Sequence, residues 1–459
     1  MKIGIDISLL QGPHRLRGIG SVLINFINNI PDDYKKKHEF IFYIDGNENK
    51  AKKNVSKLLK TEGLKYQIIR FDKKHIKHDT KIKKNNKINS SLKRFFLAFP
   101  GIRLLVKLKV IFKIFKIIVF LYKARLNRPR LAETDFFIQL DPDGIIPRST
   151  FVVYFIQDII PYVVEWDYLW SYKTTRNKGY GVIYSLNNQI NRWVYLKKFL
   201  LKAKMSNLIF VNSKTTKTDV VNVLKIKEKK IKIIHLGINN YENNIIFKKQ
   251  SIKAYKHTSW GYIKNRETLK LEDPYILYVG GADSRRKIED LISCFNILRA
   301  RGERIKLVLV GDSMQGPNNI SNDRIRASLL NSSYLKDIIF LGFAKENELN
   351  WLYRNALCFV FPSKYEGFGL PILEAMSYGI QVICYRNDAT LEVGQSLPIY
   401  VENVLDMEEK IKLLINSVKE DKVKIVQKNI NYSKNYSWSL TSKNILQTLE
   451  EKHEQYIKK

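Results

Sequence analysis

Short apolar runs alternate with amphipathic stretches along most of the chain, the pattern of a parallel α/β sheet. Residues 2–7 (KIGIDI) predict a first strand, too short and too interrupted by Asp6 to serve as a secretory signal. A glycine-containing loop over 11–20 leads into an apolar-periodic helix at about 21–30. EFIFYID (39–45), residues 66–71, DFFIQL (135–140), FVVYFIQD (151–158), SNLIFVNS (206–213) and KIIHLGI (232–238) predict further strands. PYILYVGG (274–281) starts a second alternation. It comprises a helix near 288–300, strands KLVLVGD (306–312) and IIFLG (338–342), and a helix over 345–355. Strand CFVFPS (358–363), a helix near 371–378 and strand QVICY (381–385) complete it. The expected fold class is therefore α/β, with one parallel-sheet domain over 1–240 and a second over 273–435. Residues 241–272 are polar and irregular, a linker, and 436–459 a closing helix.

The alternation breaks between 73 and 130. A lysine-rich stretch (73–94) runs into GIRLLVKLKVIFKIFKIIVFLYKAR, long and apolar enough to raise the question of a membrane span. Lys107, Lys109, Lys113 and Lys116 argue against one, because each charge at a bilayer centre costs about 2.5–3.5 kcal/mol. At roughly 100° per residue, Lys109, Lys113, Lys116 and Lys123 share one face, while Ile111, Ile114, Ile118 and Leu121 lie toward the other. That is a basic amphipathic insertion suited to an anionic leaflet; the bland alternative is a helix covering the sheet with its lysines in water.

Composition fits this picture. The 459 residues are 45% hydrophobic and 12% aromatic, a globular chain long enough for two cores. The formal charge is +35. Nucleic acid is a conceivable counterpart, yet no zinc finger, RNP-type aromatic motif or helix-turn-helix is present, so none is expected as partner. An anionic membrane surface reached through 73–125 fits the clustering better, with lysines scattered by codon bias as the alternative. Cys294, Cys358 and Cys384 form no CxxC pair or metal-type cluster, which favours a reducing, cytoplasmic setting.

Three segments carry candidate chemistry. YEGFGLPILEAMSYG (365–379) follows a strand, so Glu366, Gly367, Phe368, Gly369 and Leu370 occupy a loop outside a carboxyl end, where open α/β sheets bind ligands. Pro371 suits the first turn of the next helix, whose free N–H groups favour an anion. Glu366 and Glu374 are acceptor-only groups suited to hydroxyls of a sugar and a ribose; the bland reading is a turn with ordinary helix-start glutamates. GGADSRRK (280–287) brings Gly280, Gly281, Arg285, Arg286 and Lys287 to the start of a helix, where the dipole opposes cations. They could neutralise a diphosphate without metal, or simply form a solvated basic run. RGIG (17–20), with Gly18 and Gly20, is a weak glycine turn lacking the third glycine of a dinucleotide fingerprint.

Together, YVGGADSRRK, LVLVGD, IFLGFAKENELNWLYRNA, PSKYEGFGLPILEAMSYGIQVI and YSWSLTSKNIL resemble the retaining GT-B glycosyltransferases of family four, the group 1 glycosyltransferases. MKIGID, RGIGS, QDIIP, FVNSKTTKTDV and IHLGIN resemble the same family's first domain. The resemblance implies two Rossmann-like domains with parallel sheets facing across a cleft. It implies a nucleoside diphosphate sugar as co-substrate, no cofactor or metal, and a glycan or lipid-linked glycan acceptor, as in bacterial surface polysaccharide assembly at the inner face of the membrane. By the same resemblance Glu374 holds the ribose and Glu366 lies beside the transferred sugar. The N–H groups of Phe368, Gly369 and Leu370 lie near sugar or phosphate. Arg285 and Arg286, or Lys287 if the register slides, meet the diphosphate, and Gly18 and Gly20 form the acceptor-side loop. Where many members carry His-Asp, this chain has Gln157-Asp158; Gln157 can hydrogen-bond a hydroxyl but cannot take a proton. The rival readings are a sugar-nucleotide epimerase of the same fold, which would lack the GFGLP loop, and a silent glycan- or transferase-binding subunit, which would be expected to lose Glu366 or the arginines.

Overall fold

The computed structural model describes residues 1–12, 18–44, 48–70, 131, 134–141, 144, 146–148, 150–164, 179, 181–239, 252–258, 261–269, 273–417 and 419–457. The basic insertion read at 73–130 therefore lies wholly outside the described residues, as does 241–251 of the expected linker.

The chain divides into two compact units. The first comprises 1–211, 217–234 and 442–459; the second comprises 212–216 and 235–441. In the first unit the strands are β1 (Lys2–Asp6), β2 (Glu39–Ile44), β3 (Lys65–Arg70), β4 (Phe136–Gln139), β5 (Phe151–Ile156), β6 (Leu208–Val211) and β7 (Ile231–Ile233). They form one sheet, order β3-β2-β1-β4-β5-β6-β7, with every pair parallel. Its helices are α1 (Ile19–Asn28), α2 (Asp32–Lys37), α3 (Glu48–Leu58), α4 (Ile160–Val163), α5 (Val182–Met205) and α6 (Lys214–Leu224), the last beginning in the 212–216 segment. Central strands such as β4, apolar but for Gln139, are buried throughout, because helices on both faces leave neither side in water.

The second unit carries β8 (Ile252–Thr258), β9 (Gly261–Leu269), β10 (Tyr275–Val279), β11 (Lys306–Val310), β12 (Ile338–Gly342), β13 (Cys358–Phe361), β14 (Val382–Tyr385) and β15 (Ile399–Val401). The sheet order is β12-β11-β10-β13-β14-β15, again all parallel. Its helices are α7 (Ile288–Ala300), α8 (Asp323–Leu330), α9 (Glu346–Asn355), α10 (Leu370–Ser377), α11 (Asp388–Gly394), α12 (Val404–Ile415) and α13 (Lys419–Ser433). A last helix, α14 (Trp438–Ile457), returns the chain to the first unit. There Ser442 Oγ donates to the Phe26 carbonyl at 2.8 Å and Glu450 meets Lys37 Nζ at 2.6 Å.

One expectation is corrected. Residues 252–269 are not irregular: β8 and β9 pair as an antiparallel hairpin. Its polar composition gives no hydrophobic period that would announce a strand pair.

Both parallel sheets reverse strand order beside their first strand, between β1 and β4 and between β10 and β13. The loops leaving the carboxyl ends of two such strands diverge to opposite faces of the sheet and leave a crevice between them. In the second unit those loops are 280–287 and 362–369.

Candidate functional site

The two motifs expected to carry chemistry meet at this crevice of the second unit. Arg285 and Arg286 lie in a single 3-10 turn (Ser284–Arg286) after β10. Arg285 is buried, 4% exposed; its Nη1 donates to the Tyr365 carbonyl at 2.8 Å and pairs with Glu366 Oε1. Its own carbonyl accepts the Lys364 N–H at 2.8 Å, so the loops are tied through backbone and side chain alike. Arg286 Nε lies 3.4 Å from Asp283 Oδ2 and 3.6 Å from Glu366 Oε1. Ser363 Oγ donates to the same Glu366 oxygen at 2.8 Å.

The result is a quartet of two carboxylates against two guanidinium groups, with Arg285 and Glu366 buried and Asp283 and Arg286 half-buried. Burial pushes the Glu366 carboxyl up, but the two arginines and the Ser363 hydroxyl outweigh it and hold it below the usual carboxylate range. Gly280 makes this geometry possible: a Cβ there would stand 2.2 Å from Arg286 Nη1 and 2.8 Å from the Tyr278 hydroxyl. Tyr278 in turn donates to the Gly281 carbonyl at 2.7 Å. Lys287 departs from its arginine neighbours. It caps α7 in the left-handed region (φ +47°), with Nζ 3.3 Å from Glu289 Oε1.

The EGFGL loop opens onto the amino-terminal end of α10. Gly369 is the N-cap of α10 at φ +110°, a conformation that favours glycine, and Pro371 sits in the first turn, where a missing N–H costs nothing. The N–H groups of Phe368, Gly369 and Leu370 donate to no group among the described residues. Glu374 lies in the second turn of α10, half-buried, and its carboxylate has no hydrogen bond or ion pair among the described residues. Burial alone pushes its pKa from 4.5 to about 7.

Sequence reasoning missed the residues that hold this loop. Asn212–Thr216, which the fold groups with the second unit, brings the Ser213 and Thr216 hydroxyls onto the Gly367 carbonyl, the latter at 3.1 Å. His235 stacks on Phe368 with centroids 5.9 Å apart, and its Nε2 lies 3.0 Å from Glu392. Asp283 and Ser363 were visible only as neighbours of the motifs. Nothing in a linear pattern marks which hydroxyl will find a distant carbonyl.

The remaining expected residues belong to the first unit. Gly18 is the N-cap of α1 at φ +47°, but Gly20 is not in the turn: α1 begins at Ile19, and Gly20 is buried in its first turn. Gln157 is half-buried at the carboxyl end of β5, and Asp158 Oδ1 accepts the Ile160 N–H at 3.1 Å, one residue ahead of Ile159, the N-cap of α4.

Two parallel-sheet α/β units, the second with a glycine-capped helix start and a carboxylate–guanidinium cluster at its switch point, define a GT-B fold. The sequence model of the family described as glycosyl transferases group 1 matches residues 262–435. The O-antigen chain mannosyltransferase B of Escherichia coli is 29% identical over 166 residues, 36% of this chain and 42% of the relative. An uncharacterised glycosyltransferase of Methanocaldococcus jannaschii is 26% identical over 257 residues, 55% of this chain and 60% of the relative. The chain thus spans about half the length of the curated relatives it matches. The crystal structure of HepE from Anabaena, solved with UDP and glucose, shares the fold at a TM-score of 0.55 and 12% identity, covering 98% of this chain and 100% of HepE. Residues 262–435 therefore carry the similarity to the group 1 glycosyltransferases.

Proposed function

We propose that the protein transfers a hexosyl unit from a nucleoside diphosphate sugar to a hydroxyl of a glycan or lipid-linked glycan, with retention of anomeric configuration, in bacterial surface polysaccharide synthesis. The observation that carries this reading is the clamping of Glu366 between Arg285 and Arg286, beside three unused N–H groups at the start of α10. Similarity to an O-antigen chain mannosyltransferase supports the pathway, and the fold shared with a UDP- and glucose-bound structure supports the donor class.

In this reading Arg285, the more deeply buried arginine, positions Glu366 against the hexose. Arg286, with 17% of its side chain exposed against 5% for Arg285, is the arginine that meets the diphosphate, joined by Lys287 once its Nζ leaves Glu289. The N–H groups of Phe368, Gly369 and Leu370 meet phosphate or sugar oxygens. Glu374 takes the two ribose hydroxyls as a carboxylate. As the anomeric C–O bond breaks, its electron pair goes to the leaving diphosphate, whose charge these groups stabilise. The acceptor oxygen forms the new bond on the same face and its proton passes to that diphosphate. Docking through 73–125 would bring the enzyme to the inner leaflet; among the described residues no helix is long and apolar enough to cross a membrane.

Thermal-shift screening against UDP-, GDP- and dTDP-sugars tests the reading. One donor class should raise the melting temperature of the wild type and fail to do so for Arg286→Ala. No response to any nucleotide sugar, or an equal response in the variant, would refute it.

A further inference from the structure

Five lysines converge at the end of the first unit's sheet that lies away from Gln157 and Asp158. Lys204 comes from the last turn of α5, and Lys225, Lys227, Lys229 and Lys230 from the connection between α6 and β7. With Asn207 and Ile226 they line a cavity of about 510 Å³ at the amino-terminal ends of β6 and β7.

The arrangement is built. Lys230 is fixed by donating to the carbonyls of Ala203 and Lys204 at 2.8 and 2.9 Å, where the last turn of α5 leaves acceptors unfilled. Burial pushes its ammonium pKa down. Lys225 holds a left-handed backbone (φ +53°), uncommon for any residue with a side chain. The other four lysines are exposed and form no ion pair among the described residues. Glu228 stands in the middle of this run but turns away, its carboxylate 2.6 Å from Lys217 on α6. Among the described residues no acid lines the cavity.

Like charges gathered in a concavity, with the Glu228 carboxylate diverted to Lys217, repel each other unless an anion sits among them. Lysine ammonium groups act as point charges without the planar fork that reads carboxylate geometry, which suits phosphate in varied poses. We infer that this cavity binds phosphate groups, carried by an anionic lipid headgroup or by a soluble phosphate compound. The site belongs to the first unit and the sugar-nucleotide crevice to the second, so it stands independently of the donor assignment.

The test uses the full chain with Lys225→Gln, Lys227→Gln and Lys229→Gln combined. The control combines Lys424→Gln, Lys428→Gln and Lys434→Gln, the same charge change on exposed positions of the second unit. Probes are inorganic pyrophosphate by low-salt calorimetry, and sedimentation with phosphatidylglycerol/phosphatidylcholine vesicles against pure phosphatidylcholine. Each lysine near such a surface is worth about fivefold, so the cavity variant should bind on the order of 100-fold more weakly than the wild type while the control keeps most of its affinity. Loss on vesicles alone identifies the headgroup; loss on pyrophosphate as well identifies a soluble phosphate. Equal losses in both variants, undiminished binding by the cavity variant, or no binding of either probe by the wild type would overturn the inference.

Discussion

Replacing Glu374 with glutamine should make the protein more stable and a poorer donor binder at once. The carboxyl sits half-buried on α10 with no partner among the described residues, and burial moves its pKa from 4.5 to about 7. Below pH 4.5 the group is neutral in folded and unfolded chains, and the burial costs nothing extra. As pH rises from 4.5 toward 7 the unfolded chain ionises first, so stability is lost across that window. Above 7 the folded state bears the whole penalty, about 3 kcal/mol at 1.36 kcal/mol per pKa unit. Glutamine has nearly the same shape and never ionises. At pH 8.5 the Glu374→Gln protein should therefore melt roughly 6–12 °C higher, taking about 2–4 °C per kcal/mol for a unit of this size. At pH 4.5 the difference should vanish. The proposed donor would reverse the order, because an amide offers one acceptor oxygen where a carboxylate takes two hydroxyls. Affinity should fall about 10- to 100-fold, one or two charge-assisted bonds. Calorimetry at pH 4.5, 6 and 8.5, with and without donor, reads both effects. A variant no more stable than wild type at pH 8.5, or a gap of constant size across the range, would refute the buried-carboxylate argument.

Gly280→Ala should evict the Arg286 guanidinium, since the new Cβ would stand 2.2 Å from Nη1. Steady-state turnover should drop on the order of 100-fold, the cost of losing one preorganised group that meets developing charge, while the melting temperature changes little. Unaltered turnover would remove Arg286 from the diphosphate site. Arg285→Met leaves the Glu366 carboxylate buried without its main partner and should destabilise the protein by about 3–5 kcal/mol, with the Arg285→Met/Glu366→Gln double variant recovering most of it. The Glu366 carboxyl is held below its ordinary value, so its contribution is present above about pH 4.5 and fades as pH falls. Urea melts should show the wild-type advantage over Arg285→Met shrinking on acidification; a gap that widens would reverse the sign of the argument.

What the sequence revealed, and what it withheld, divides along physical lines. Strands such as 275–279 and 358–361 were legible because a doubly covered parallel strand must be apolar at every position. The EGFGLP turn was legible because φ +110° at Gly369 and a proline in the first helical turn are local demands met by local residues. The hairpin 252–269 was not, since a polar strand pair leaves no hydrophobic period. The run Arg285-Arg286-Lys287 read as three equivalent cations, yet backbone geometry gives each a different fate. The 3-10 turn buries Arg285 against Glu366 and leaves Arg286 partly open, and the left-handed residue 287 turns its lysine toward Glu289. This sorting changes the electrostatics of the proposed donor site. Asp283 and Glu366 already balance the two arginines, so an incoming diphosphate does not meet two spare positive charges. The donors without a partner are the N–H groups of Phe368, Gly369 and Leu370, reinforced by the dipole of α10. Capture of the donor must begin there, and Arg286 can contribute only by exchanging a carboxylate partner for a phosphate one. Such an exchange replaces one ion pair with another at little net cost, which is why a neutral cluster can still answer the charge that grows on the leaving group.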